Sequence, residues 1–270
     1  TLGRDGPPVV ATYHGGRLAA SPWLRRLQAA ATRRLARGLF AQRELAEPLV
    51  AAGLLRPGQV AECMELSSTF RPQARAAARE LTGMRGAPVF LCAGHLKPVK
   101  DPLTTLAGFD AIQQVWPQAE LYWHYLEAEL LAEVGAYLAR RPGLAGRVHL
   151  RGPAPHASLE TIYNSADFYL QASRREIGGS ALLEAMACGC IPVVSDIPSF
   201  RAITAGGRFG LLFPVGDSAG LAARALDVEL ERLPVLAAAV RAHFEAELSY
   251  PALARRLSAI YAAARDEAGG

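Results

Sequence analysis

Two carboxylates, Glu176 and Glu184, frame a glycine turn with seven residues between them. Such a turn can bind an anion. Where a strand passes into a helix through glycine, the first N–H groups of the helix lack partners and the positive end of its dipole lies beside them. Gly178 and Gly179 let a ligand approach that backbone closely, and a phosphate suits the arrangement. Glu184 follows Ser180 by four residues, so both project from one helix face. The acid then stands about 5.4 Å along the axis, the height of a ribose attached to a bound diphosphate. It is not a capping acid, because a capping box would place it at position 183, which is leucine. Surrounded by Leu182, Leu183, Ala185, Met186 and Ala187, an isolated charge would be costly, so Glu184 requires a partner.

Two further segments carry candidate ligands. His14 ends the apolar run from Pro7 to Tyr13, and His95, Lys97 and Lys100 lie between Gly94 and Pro102 after the run Val89 to Ala93. Both follow strand candidates, and in open α/β sheets ligands bind at the carboxyl ends of strands.

The elements that must hold these residues form a regular series. Val89 to Ala93, Leu121 to Trp123, Val148 to Leu150, Phe168 to Leu170, Val193 to Ser195 and Leu211 to Phe213 read as strands separated by helical segments. Alternation at this spacing predicts a parallel, doubly wound sheet. Upstream, Pro22 to Ala36 reads as a helix with Ser21 as its cap, Gly38 to Gln42 as a strand, Arg43 to Ala52 as a helix ended by Gly53, and Val60 to Met64 as a strand. Val235 to Leu248 and Pro251 to Ala264 read as amphipathic helices, and Asp217 and Ser218 open a helix from Ala219.

The run from Glu176 through Glu184 to Ala185-Met-Ala-Cys-Gly-Cys-Ile-Pro-Val-Val194 resembles the donor-site signature of the retaining glycosyltransferases of family 4. These have the GT-B architecture of two facing Rossmann-like domains. The resemblance implies an α/β fold of GT-B type: a doubly wound, parallel Rossmann-like sheet preceded by a truncated N-terminal Rossmann-like domain. It implies that Glu176 and the following amides hold the donor sugar, Ile177, Gly178, Gly179 and Ser180 the diphosphate, and Glu184 the ribose. The segment Val10 to Gly15 resembles the strand that presents a histidine to the donor sugar, so His14 and Glu176 are the catalytic candidates. Relatives carry Gly-Arg-x-x-x-x-Lys where this chain has Gly94 to Lys100, which assigns Lys100 and His95 to the diphosphate, with His95 standing in for arginine. A histidine supplies at most one directed donor when neutral, which weakens the clamp unless Lys97 or a charged His95 compensates. The turn Glu176-Ile-Gly-Gly179 keeps only the last of the family's usual glycines.

By the same resemblance, residues 1–67 are the remainder of an acceptor-side domain, 68–248 the nucleotide-sugar-binding domain, and 249–270 a helix crossing back to the first. The linker is recognised at Glu65 to Pro72. The expected activity is transfer of a hexosyl group, with its anomeric configuration retained, from a nucleotide diphosphate sugar to a glycan, lipid or small-molecule acceptor. No metal and no resident cofactor are expected, since Lys100, the turn amides and the helix dipole can meet the charge on the departing diphosphate. A nucleotide-sugar-binding scaffold without turnover is the alternative, suggested by His95 and the altered glycine turn. An epimerase of similar architecture fits the Glu-x7-Glu run less well. A hydrolase built on Ser195, Asp196 and His156 lacks a nucleophile elbow.

The aromatic stretch Leu121 to Glu127 replaces a glycine-rich turn of the relatives, and its rings either stack on a base or belong to core and rim. Arg151 to Pro153 ends the next strand near the expected base pocket.

Composition bounds the rest. The 270 residues are 51% hydrophobic, enough for one large or two ordinary domains. A net charge of +4 without a dense basic block speaks against nucleic acid as a partner but suits small anions. Cys63, Cys92, Cys188 and Cys190 lack metal-site spacing and disulfide density, which points to a reducing cytosol. There is no run of 18 apolar residues and no signal peptide, and the opening threonine suggests a processed or truncated chain. The arginines of Pro22 to Ala36 read as a solvated basic face over a packed apolar one. The second reading is an interfacial helix touching anionic lipid, peripheral to the inner face of the membrane.

Overall fold

Aliphatic and aromatic residues gathered in Val9–Tyr13 favour extended chain. In the computed structural model, which describes residues 7–14 and 18–269, this run is strand β1. It belongs to a unit formed by Thr1–Leu66 and Tyr250–Gly270. Helix α1 (Pro22–Thr32) follows, opened by Ser21, whose hydroxyl accepts the Leu24 N–H, and by Pro22 in the first turn, where no N–H is needed. Then come β2 (Leu35–Phe40), α2 (Glu47–Ala51) and β3 (Val60–Glu62), and the strands pair in parallel in the order β1-β2-β3. Tyr13 stacks on Phe40 with ring centroids 4.7 Å apart, above a core of Leu35, Phe40, Leu49, Leu55 and Val60.

Three expectations are corrected here. The helix predicted to reach Ala36 stops at Thr32, because Leu35 pairs with Val9 and buries its side chain. Pairing and burial outweigh the good helix propensity of Arg-Leu-Ala. The strand predicted from Gly38 accordingly begins at Leu35. The disposition of α1 is also the reverse of a basic face over a packed apolar one: Gln28, Ala29 and Thr32 turn inward, while Trp23, Leu24 and Leu27 are exposed. The expected loop at Gly15 and Gly16 lies outside the described residues.

Residues Ser67–Ser249 form the second unit. After α3 (Arg75–Thr82), strand and helix alternate: β4 (Val89–Ala93), α4 (Pro102–Val115), β5 (Glu120–His124), α5 (Leu131–Ala139), β6 (Val148–Gly152), α6 (His156–Asn164), β7 (Phe168–Gln171), α7 (Ser180–Ala187), β8 (Ile191–Ser195), α8 (Pro198–Ile203), β9 (Leu211–Phe213), α9 (Ser218–Leu226) and α10 (Leu233–His243). A π-helical turn, Phe244–Leu248, prolongs α10. Beyond it α11 (Tyr250–Gly269) belongs to the first unit, where Glu267 pairs with Arg37 of β2. Val89 to Ala93 and Ile191 to Ser195 show no polar alternation, as expected of parallel strands covered on both faces.

The six strands of the second unit are all parallel, in the order β6-β5-β4-β7-β8-β9. From β4 the chain moves outward through β5 and β6, then returns to β7 on the other side of β4. That reversal opens a crevice at the carboxyl ends of β4 and β7, the topological switch point where doubly wound sheets take their ligands. Phe90 and Phe168 stack across these two strands at 4.8 Å. Below them the buried Asp167 accepts from the Val89 N–H at 2.7 Å and from Arg79 at 2.6 Å, with Arg75 at 3.3 Å. The amino ends of the two strands are thereby tied to α3. Among the described residues no helix is long and apolar enough to cross a membrane.

Candidate functional site

The bend between β7 and α7 rises at the switch point. Gly179 takes φ +61°, a left-handed conformation, and a Cβ there would lie 2.7 Å from Ile203 Cδ1. The left-handed backbone favours glycine, and any larger residue would also have to push the Ile203 methyl aside. Gly179 is the N-cap of α7, and no side chain caps that helix. Ile177 and Ser180 are exposed, so the bend and the helix start open to solvent rather than into the core.

Glu176 precedes the bend, and three donors converge on its Oε1: Lys100 Nζ at 2.5 Å, Gln171 Nε2 at 2.6 Å and Ser173 Oγ at 2.7 Å. Lys100 reaches it from the loop after β4, while Gln171 and Ser173 come from the end of β7. The two loops are joined twice more. The Arg174 N–H donates to Val99 O at 2.8 Å, and the Arg174 guanidinium lies 2.7 Å from Asp101. Asp101 itself holds a left-handed φ of 48° at the head of α4. Ser195, at the end of β8, donates to Ser173 O at 2.5 Å.

Glu184 lies one turn into α7, half-buried. The partner it requires is Tyr163 of α6, a fully buried hydroxyl that donates to its carboxylate. Burial pushes the Glu184 carboxyl above its ordinary range, while the Tyr163 hydrogen bond and the nearby His156 pull it back. Burial holds the Tyr163 hydroxyl well above the ordinary tyrosine range, so it remains a donor.

His95 and Lys100 both line the cleft at the ends of β4 and β7 with Gly94, Trp123 and Gln171, yet His95 does not reach Glu176. Its Nδ1 accepts the Glu127 N–H at 3.1 Å, which leaves the proton of a neutral ring on Nε2, 3.6 Å from the Glu127 carboxylate. Lys97 also turns to Glu127, at 2.5 Å, and its ammonium holds that carboxyl below the usual range. Lys100 is therefore the cation of this loop that points to the bend. The aromatics of β5 belong to the core: Tyr122 and Trp123 are buried, and Arg151 lies over the Tyr122 ring.

His14 belongs to the first unit, whereas Lys100, His95, Glu176, Ile177, Gly178, Gly179, Ser180 and Glu184 belong to the second. Its Nδ1 lies 2.5 Å from Glu65 Oε2, at a cavity of about 640 Å³ also lined by Leu66, Tyr250, Leu257 and Tyr261. Sequence reasoning missed Glu65, Gln171, Ser173 and Tyr163. Only Tyr163 left a trace, in the demand of Glu184 for a partner. Among the described residues, no three His, Cys, Asp or Glu side chains gather as around a metal ion. The four cysteines are free and buried.

A doubly wound parallel sheet with an uncapped helix start, a lysine and two carboxylates at its switch point places the chain among the doubly wound α/β proteins. The family model described as Glycosyl transferases group 1 matches residues 87–229, more than half of the chain, and the chain belongs to that family. Among curated proteins it is 30% identical over 207 residues to D-inositol 3-phosphate glycosyltransferase 1 of Catenulispora acidiphila, covering 72% of this chain and 49% of that protein. It is 37% identical over 86 residues to phosphatidyl-myo-inositol mannosyltransferase of Mycolicibacterium smegmatis, covering 32% and 22%. The chain thus spans at most about half the length of these relatives.

Among solved structures, HepE of Anabaena in complex with UDP matches with a TM-score of 0.77 at 19% identity, covering 95% of this chain and 72% of that one. Sucrose-phosphate synthase of Thermosynechococcus elongatus matches at 0.71 and 20%, covering 94% and 67%. At such identities these matches speak for the GT-B fold alone.

Proposed function

We propose that the second unit binds a nucleotide diphosphate sugar and that the protein it belongs to is a retaining glycosyltransferase moving a hexosyl group to an acceptor hydroxyl. The observation that carries this reading is the meeting of Lys100 and Glu176 at 2.5 Å beside the uncapped start of α7 at the switch point. A diphosphate laid on that helix start meets amide donors and the dipole, with Lys100 within reach of its charge. Glu176 then accepts hydroxyls of the sugar, and Glu184, steadied by Tyr163, accepts those of the ribose. As the sugar–phosphate bond breaks, negative charge grows on the leaving diphosphate, where a fixed cation and amides stabilise it most. This donor set supplies that charge itself and calls for no resident cofactor. His14 is assigned to the sugar by resemblance, with Glu65 fixing the tautomer in which Nδ1 carries the proton.

The names of the curated relatives, which speak of mannosyl and glycosyl transfer, support a hexose. The test is a thermal-shift and calorimetric panel of UDP, GDP and ADP sugars, followed by an assay of nucleotide release. A binder raises the melting temperature by mass action. Absence of binding across the panel, with the chain folded, would refute the reading. Binding without release under any acceptor would favour the scaffold alternative.

A further inference from the structure

Strand β7 buries two polar side chains among apolar ones. Tyr169 and Gln171 lie two residues apart and so share one face of the sheet, while Phe168 and Leu170 join the core on the other. Tyr169 is completely buried and Gln171 nearly so, and an amide is costly there unless each of its polar atoms finds a partner. Each does. The amide nitrogen lies 2.6 Å from Glu176 Oε1 and 2.9 Å from Ser173 Oγ, which uses both of its hydrogens, and the amide oxygen lies 2.7 Å from the Tyr169 hydroxyl. Turned over, the amide would lose the Tyr169 donor and set its oxygen against Oε1, so its orientation is fixed. Burial holds the Tyr169 hydroxyl well above the ordinary tyrosine range, and it remains a donor. Ser173 accepts from Gln171 and donates to Glu176 at 2.7 Å. With Lys100, three donors meet the same carboxylate oxygen.

We propose that Gln171, its amide set by Tyr169, is the residue that positions Glu176 for the sugar, filling Oε1 so that Oε2 is the oxygen presented to the sugar hydroxyls. The inference rests on the reading that Glu176 takes the sugar of a nucleotide diphosphate sugar. It separates the two parts of that ligand. The nucleotide meets Lys100, the α7 amides and Glu184, to none of which Gln171 is hydrogen-bonded, whereas the sugar meets the one carboxylate that Gln171 holds. A carboxylate fixed before the ligand arrives loses less freedom on binding. A Tyr169–Gln171 pair that served the fold alone would change stability and leave the balance between nucleotide and sugar conjugate untouched.

The experiment is titration calorimetry of the whole chain with UDP, GDP and ADP and with UDP-glucose, GDP-mannose and ADP-glucose. The proteins are the parent, Gln171→Met, Tyr169→Phe and the double variant. For the nucleotide that binds, Gln171→Met should leave the affinity for the bare nucleotide unchanged and weaken the sugar conjugate about 10-fold, the low end for a hydrogen bond to a charged group. Tyr169→Phe should act in the same direction by about 3-fold, as for a hydrogen bond between neutral groups. Added to Gln171→Met it should bring no further loss, because its effect runs through the amide. Equal losses for nucleotide and conjugate, no loss for the conjugate, or a Tyr169→Phe effect undiminished in the double variant would overturn the proposal. Should Gln171→Met fail to fold, the split between nucleotide and conjugate in Tyr169→Phe decides. A parent that binds none of these ligands would overturn the nucleotide-sugar reading and this inference with it. A parent that binds them, with variants that match it, would sink the inference alone.

Discussion

Lys100 Nζ and Glu176 Oε1 lie 2.5 Å apart although the two residues come from different loops on opposite sides of the switch point. The pair is mostly shielded, with side chains 21% and 14% exposed. A bound diphosphate would draw Lys100 from its carboxylate partner, while Gln171 and Ser173 continue to hold Glu176.

Lys100→Met should therefore weaken nucleotide-sugar binding about 10- to 100-fold, the range of a lost hydrogen bond to a charged group, and destabilise the fold by only about 1 kcal/mol. Lys97→Met, whose lysine faces Glu127, should change affinity little. Titration calorimetry on the two variants separates the loop's two lysines.

Glu184 gives a pH signature. Its carboxyl sits above the ordinary 4.5 because of burial, so it takes up a proton at a higher pH than an ordinary glutamate, and nucleotide affinity should fall as pH drops through that raised value. Glu184→Gln should bind more weakly at neutral pH and lose that step. The linked stability runs the other way. The folded state keeps the proton longer than the unfolded state, so the contribution of this group is greatest below 4.5 and declines as pH rises to the raised value. Glu184→Gln should be more stable than the parent at neutral pH and close to it in acid, which melting curves across pH would show.

Gly179→Ala should cost about 1–2 kcal/mol from the left-handed backbone alone, with more if Ile203 cannot move aside. Urea unfolding measures this loss. Nucleotide binding should fall with it, because the same φ aims the first amides of α7.

Asp167→Ala should destabilise the second unit by about 2–4 kcal/mol, since two arginines and the Val89 N–H lose their acceptor at a buried position. Its signature is a lower melting temperature, while nucleotide affinity of the protein still folded is unchanged.

Much of the second unit was legible because its strands are short apolar runs punctuated by glycine and proline, and a helix start after Gly179 follows from local chemistry. What escaped depends on sheet order. Nothing local says that β4 lies beside β7, so neither the meeting of Lys100 with Glu176 nor that of Arg174 with Asp101 could be read from spacing. Tyr163 lies 21 residues before Glu184 and reaches it only because α6 packs beside α7. The end of α1 was misjudged for a related reason. Arg33 to Ala36 are adequate helix formers, and only pairing with β1 makes Leu35 a strand residue. The assignment of His14 rested on resemblance, and Glu65 had no mark in the sequence that would single it out as its partner.

Three links, Val99 with Arg174, Asp101 with Arg174 and Lys100 with Glu176, rivet the loop after β4 to the loop after β7 before any ligand arrives. The entropy of ordering those segments is thus spent during folding and is not charged against affinity. Association with a nucleotide should accordingly proceed in one kinetic phase whose observed rate rises linearly with ligand concentration, with the release of one ammonium from one carboxylate as its internal rearrangement.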